Sequence, residues 1–463
     1  MIDMIRKQIE ADHDNAVARL CQLLRIPSVS TDPACRDQMQ SAASWIAAQC
    51  NELSLDTQVL PSKGHPVVVA RTRPDQVSNP TAPRILFYGH YDVQPPDPLE
   101  HWTTPPFEPT LRNGHIYARG AVDDKGQVMT FLEAIRAWQQ CGSGSKLPGP
   151  ITLIIEGEEE VGSVHLGPLL EQHRDLLAAD ICVVSDTSMW RADKPAITYA
   201  LRGVVYFDVQ LHGPKRDLHS GIYGGTLANP ATMLTRVLGD LFDAQHRINI
   251  PDFYDDVSPL NKSERDRWQE LGFHDEDLLG PVDATAYGEC GFSTLERRWS
   301  RPSCDVNGLY GGYMGQGAKT VIPSFAGAKV SFRIPTAMNP HKVAEQFETW
   351  LRQHEVDDLQ WKITRHGEAW PVSVALDSPF MVAAARAIES AFGTSPAYIR
   401  EGATIPVITD FKSQLNLDTL LIGFGLESDA IHSPNECFGL DRFLLGCNTH
   451  AQLLAEIAQV QSS

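Results

Sequence analysis

Three short apolar runs in this chain each stop at residues able to bind a metal ion. Residues 85–88 (ILFY) lead into Gly89-His90-Tyr91-Asp92, residues 151–155 (ITLII) into an acidic run, and residues 181–185 (ICVVS) into Asp186. Apolar runs of four or five residues bounded by glycine, proline or charge have the length of buried strands. Segments with helical spacing separate them. Strands alternating with helices predict an α/β fold with a mainly parallel sheet flanked by helices, whose functional side chains gather beyond the carboxyl ends of the strands.

Side chains two apart on an extended chain share a side, so His90 and Asp92 can face one cavity. A carboxylate beside a metal-binding imidazole fixes its tautomer and raises its basicity. Asp123 and Asp124 directly precede Val128, Phe131, Leu132, Ile135 and Trp138, an apolar set at helical spacing, which puts them at a loop-to-helix junction. Either aspartate alone would also serve as a helix N-cap. Within the acidic run, Glu156, Glu158, Glu159 and Glu160 cannot be ranked by composition.

Around this core the pattern predicts an amphipathic helix over 4–24, another over 36–50, and a change of texture near Arg202. From there an alternating strand over 204–211, a helix over 229–244 and a strand pair over 321–335 suggest an inserted α+β domain. The α/β pattern resumes near Ser378. The boundaries expected are 1–201, 202–377 and 378–463, with the first and third segments forming one domain.

The formal charge of −19 argues against a nucleic-acid partner, which would need a basic face. No apolar run approaches the roughly 20 residues that span a bilayer, so no membrane partner is expected. Nine scattered cysteines without a C-x-x-C pair read as reduced thiols, and the N-terminal residues lack the apolar core of a signal peptide. The expected location is the cytoplasm.

The motifs GHYDVQP, YARGAVDDKG, EGEEEVGS, VSDTSMW, RDLHSGIYGG, GQGAKTVIP, REGATIPV and IHSPNE follow one another in this order. Together they resemble the M20 metallopeptidases, in particular their cytosolic nonspecific dipeptidase and carnosinase branch, over residues 25 to 440. The resemblance implies a di-metal catalytic domain interrupted by a lid and dimerisation domain. It implies that His90, Asp123 and Asp186 hold one metal and that Asp123, Glu160 and His432 hold the second, with Asp123 bridging. Glu159 then matches the general base acting on a metal-bridged water, and Asp92 the partner of His90. His219 matches a lid histidine that works in the partner subunit's site, which implies a homodimer. Arg333 matches the receptor of the substrate's C-terminal carboxylate, and Gly402 and Thr404 belong to a loop beside the substrate. The related dipeptidases more often carry Gly-Gly-Ser where this chain has Gly402-Ala403-Thr404.

The activity implied is hydrolysis of dipeptides or short peptides with two divalent ions per subunit, zinc first, with manganese or cobalt as alternatives. Rival readings are an amidohydrolase that removes an N-acyl or N-carbamoyl group from amino acids, and an inactive peptide-binding protein.

Overall fold

The computed structural model describes residues 1–142, 145–354 and 358–461. Within it the chain folds into two compact units. The first comprises Met1–Tyr199, Val374–Ile399 and Pro406–Ser463; the second comprises Ala200–Ser373 and Arg400–Ile405.

The first unit is built on a mixed sheet ordered Asp56–Leu60, Val67–Arg71, Ile151–Glu156, Ile85–His90, Ile181–Val184, Thr419–Leu421, Ala196–Leu201. Its four central strands are mutually parallel, as the alternation with helices predicts. The outer pairs are antiparallel. At the first edge, the short link between Leu60 and Val67 permits a hairpin but not the long crossover a parallel pair requires.

Register aligns the strand ends. His90 stands beside Glu156, and Tyr88 beside Val184. Asp186, two residues past Val184, therefore emerges at the level of His90. The helix Lys125–Gln140 is buried on all sides from Lys125 to Trp138, and Leu440–Ile457 packs against both it and Pro379–Phe392. Phe87 stacks on Phe131 with ring centroids 4.0 Å apart, joining sheet to helix. Each such buried aromatic contributes roughly 1.5–3 kcal/mol by leaving water.

The helix expected over 4–24 is two helices, Ile2–Ala11 and His13–Leu24. They meet at Asp12, whose carboxylate accepts from Asn15 Nδ2 at 2.6 Å and Arg19 Nη2 at 2.5 Å. An aspartate that finds local donors competes with a continuous helix. No helix among the described residues is long and apolar enough to cross a membrane.

The second unit contains a four-stranded antiparallel sheet ordered Ser303–Gly311, Phe325–Ile334, Gly203–His212, Gln360–Ala369. Burial alternates along Gly203–His212, so Val205, Phe207, Val209 and Leu211 share one face. They join Leu234, Val237, Val343, Phe347 and Leu351 from the helices Pro230–Gly239 and Pro340–Gln353 in a single core. Both helices start alike, with an asparagine N-cap followed by proline: Asn229 accepts from the Ala231 N–H, and Asn339 from the His341 N–H. The first of these was expected to run to 244. It ends at Gly239, where glycine disfavours continuation, and the chain then folds back so that Phe242 bridges Ile248.

Candidate metal centre

All five proposed metal ligands lie in the first unit, at the carboxyl ends of its strands or on adjoining loops. His90, wholly buried at its strand end, points Nε2 to within 3.2 Å of Asp123 Oδ1 and 3.9 Å of Asp186 Oδ2. Asp123 turns its other oxygen to His432, with Oδ2 2.8 Å from Nε2. The same His432 nitrogen is 3.2 Å from Glu160 Oε2. Two triads result, His90–Asp123–Asp186 and Asp123–Glu160–His432. Within each, one donor atom per residue lies within 4.8 Å of the others, and Asp123 belongs to both.

The acidic run, which composition could not rank, is sorted by its neighbours. Glu156 accepts hydrogen bonds from Tyr88 and Ser163 at 2.7 Å each, away from the triads. Glu158 pairs with His165 Nδ1 at 3.0 Å. Glu160 joins His432 and accepts from Gln94 Nε2 at 2.7 Å. Glu159 lies in the turn between them, inside the electrostatic reach of His90, Asp186, Asp123 and Glu160.

The electrostatics of the pocket call for positive charge. Burial pushes Glu159 up to about 8, and the neighbouring carboxylates of Asp186, Asp123 and Glu160 add to that against the opposing pull of His90. Asp186 is raised to about 7 by burial and by Asp123. Hydrogen bonds to Asp123 and Glu160 lift His432 to about 10. Burial opposes a charged His90, yet Asp123 and Asp92 outweigh it and hold its pKa well above the usual imidazole value. Imidazoles that keep protons among crowded carboxylates occupy the place where a cation would be most stabilised, and cation binding releases such protons. His90 Nε2 provides a further test of fit: although 3.2 Å from Asp123 Oδ1, it is buried without a well-formed hydrogen bond, and once a cation displaces its proton it can direct a lone pair at a metal. Two imidazoles and three carboxylates form a donor set suited to zinc and acceptable to manganese or cobalt.

The second unit holds His219, Arg333, Gly402 and Thr404, whereas Asp92 lies in the first. His219 is exposed, and its Nδ1 accepts the Gly221 N–H at 2.9 Å. In the neutral ring the proton then sits on Nε2, leaving an N–H donor available. Arg333 donates from Nη1 to Thr404 Oγ1 at 3.0 Å, and Thr404 Oγ1 in turn donates to the Arg202 carbonyl at 2.5 Å. The Gly402 carbonyl accepts from Arg202 Nε at 3.1 Å. Arg202 supports both loop residues, yet no pattern in the sequence singles it out for that role. Gln94 is likewise unmarked, although it sits inside the GHYDVQP motif.

The description "Peptidase family M20/M25/M40" fits residues 86–456 of this chain. The chain is 32% identical to the Cys-Gly metallodipeptidase dug1 of Schizosaccharomyces pombe, over 99% of each sequence. It is also 32% identical to the human Beta-Ala-His dipeptidase, over 99% of this chain and 93% of that one. Among solved structures it is similar to the di-peptidase Dug1p from Saccharomyces cerevisiae. The TM-score is 0.81 at 28% identity, covering 100% of this chain and 99% of the other.

Proposed function

This chain belongs to peptidase family M20/M25/M40, and we propose that it is a two-metal dipeptidase that hydrolyses dipeptides or short peptides with Glu159 as general base. The observation that carries the proposal is the double use of Asp123, with one oxygen facing each triad. A carboxylate so placed can bridge two dications. When bound, such a pair lowers the pKa of a water molecule and polarises the scissile carbonyl.

The chain's own residues supply the remaining chemistry. Glu159, close to both triads and a member of neither, can take a proton from water and pass it to the leaving amine once cations offset the neighbouring carboxylates that hold its own proton on. Its place in the turn is secured by Asp92, whose Oδ1 accepts the Glu159 N–H at 3.2 Å and whose Oδ2 accepts the Glu160 N–H at 3.1 Å. His219, with its donor on Nε2, is suited to stabilising negative charge on the carbonyl oxygen. Arg333 is our choice for the receptor of the substrate's C-terminal carboxylate, with Thr404 and Gly402 beside it. A guanidinium can grip a carboxylate through two parallel hydrogen bonds.

We further propose that the second unit is a lid and dimerisation domain and that His219 acts in the partner subunit of a homodimer. In support, the sheet-edge strand Ser303–Gly311 exposes Val306 and Leu309, and Tyr313 and Met314 just beyond it are exposed as well. An apolar edge strand of this kind favours pairing with another chain. The scattered thiols fit our expectation of a cytoplasmic enzyme, and the donor set that of zinc as its metal.

The deciding experiment is hydrolysis by metal-stripped protein of a panel of free dipeptides and N-acyl amino acids, with and without zinc or manganese. Metal-dependent cleavage of free dipeptides supports the proposal. Cleavage confined to acylated substrates would replace it with an amidohydrolase, and inactivity on both with two metals bound would leave a peptide-binding protein.

A further inference from the structure

We propose that Glu436 is the positioning residue of the metal centre: a buried carboxylate that ties the loop of Asp123 to the loop of His432 and so sets how tightly the Asp123–Glu160–His432 triad takes a divalent cation. This inference rests on the two-metal reading above.

Glu436 has no solvent exposure, and both its oxygens are engaged. Oε1 accepts the backbone N–H groups of Val122 and Asp123 at 3.0 and 3.1 Å. Oε2 accepts the Gly120 N–H at 2.9 Å and Arg119 Nη1 at 2.7 Å. The Glu436 carbonyl adds a bond from the Ala118 N–H at 3.1 Å. The backbone N–H groups of Ala118, Gly120, Val122 and Asp123 thus converge on one amino acid more than 300 positions away. Gly120 turns with φ +82°, a conformation that lets its N–H join those of Val122 and Asp123 around a single carboxylate.

The anchor extends in two directions. Arg119, itself buried, donates from Nη2 to the Pro95 carbonyl at 3.2 Å, which ties in the segment carrying Asp92 and Gln94. On the other side, Asn435 Oδ1 accepts the Thr103 N–H and its Nδ2 donates to the His101 carbonyl, both at 2.8 Å. His432 leaves this pinned segment three residues earlier, itself at φ +59°.

A buried carboxylate is costly unless its lone pairs are filled and its charge is paired, and four donors including a guanidinium meet both needs. Such an investment around Asp123 has a clear chemical use. Metal–ligand distances tolerate only about 0.2 Å of error. Asp123 is shared by both triads, so displacement of its backbone would misplace a ligand of each. His432 would move as well, so the triad containing both should suffer most.

The test is titration of metal-stripped wild type and Glu436→Gln with zinc against a chromophoric chelator, and with cobalt, whose visible absorption reports ligand geometry. Unfolding of the metal-free proteins is measured in parallel. Gln keeps the shape but turns an amide NH2 toward backbone N–H groups. We expect one of two zinc equivalents to weaken by about 10- to 100-fold, the other by less, with an altered cobalt spectrum. A folded Glu436→Gln protein with both equivalents and the spectrum unchanged overturns the proposal. If Glu436→Gln does not fold, Glu436→Asp decides: it keeps the pair with Arg119 but is one methylene too short to hold all four donors. Weakened zinc binding by that variant supports the proposal, and wild-type binding overturns it. Wild-type protein that fails to take two equivalents would refute the two-metal reading itself, an outcome seen before any variant is compared.

Discussion

His90 directs Nδ1 to the main-chain oxygen of Asp92 at 3.1 Å, closer than the 3.4 Å to that residue's carboxylate. The Nδ1 proton can therefore be held by the carbonyl, so that when a cation displaces the proton from Nε2 the lone pair there faces Asp123 and Asp186. The Asp92 carboxylate is meanwhile occupied by the N–H groups of Glu159 and Glu160. One aspartate thus orients the imidazole of the first triad and the turn that carries both the proposed base and a ligand of the second.

Glu159→Gln should reduce kcat by at least about 100-fold, the order expected when a general base is lost. The bound metal should stay at two equivalents, since Glu159 belongs to neither triad. Elemental analysis alongside the rate separates a lost base from a lost metal, and full activity in the variant would disprove the assignment.

His219→Ala should lower kcat by about 100-fold or more, as removal of an oxyanion donor does, with little change in substrate binding. Mixed with a Glu159→Gln chain, it should recover part of the activity, because a mixed dimer would contain one intact composite site. Absence of recovery in a mixed dimer verified by native mass spectrometry would rule out sharing between subunits.

Arg333→Ala should raise KM for dipeptides with a free carboxylate by about 10-fold or more, reflecting a charge-assisted pair of about 1.5–3 kcal/mol. C-terminally amidated dipeptides never form that pair, so they should be nearly indifferent to the change. Equal losses on the two series would assign Arg333 to holding Thr404 rather than substrate.

His450 should contribute a pH dependence to stability. It is fully buried, with Nδ1 3.0 Å from Thr130 Oγ1 and Nε2 2.9 Å from Ser185 Oγ, and burial pulls its pKa down to about 3. The folded-state value is depressed below the unfolded 6.5, so between those values the unfolded chain binds a proton that the folded chain refuses. The stabilising contribution is complete above pH 6.5 and declines as pH falls, by at most about 1.4 kcal/mol per pH unit. In urea unfolding of chelator-treated protein between pH 7.5 and 5, His450→Gln should show a shallower acid loss than wild type. Identical slopes would contradict this account.

Much of the architecture was legible because its signals are local. Strand length, the apolar spacing that follows Asp124 and the two-residue period that pairs His90 with Asp92 are properties of adjacent residues. The same locality explains the errors: the break at Asp12 depends on whether one carboxylate finds Asn15 and Arg19, which spacing does not encode. The acidic run was opaque for a related reason. Its members differ in their partners, Tyr88, His165 or His432, and not in their type.

The sequence by itself determined an α/β chain whose strands end in imidazole and carboxylate, and through its ordered motifs the family to which it belongs. Only the tertiary structure decided that Ile151–Glu156 pairs directly with Ile85–His90, that one Asp123 oxygen faces each triad, and that Glu436 closes on the loop of Asp123 from over 300 residues away. Those facts depend on register and loop closure between distant segments. Their free energy comes from interactions that exist only once the whole sheet has assembled, so no window along the chain contains them.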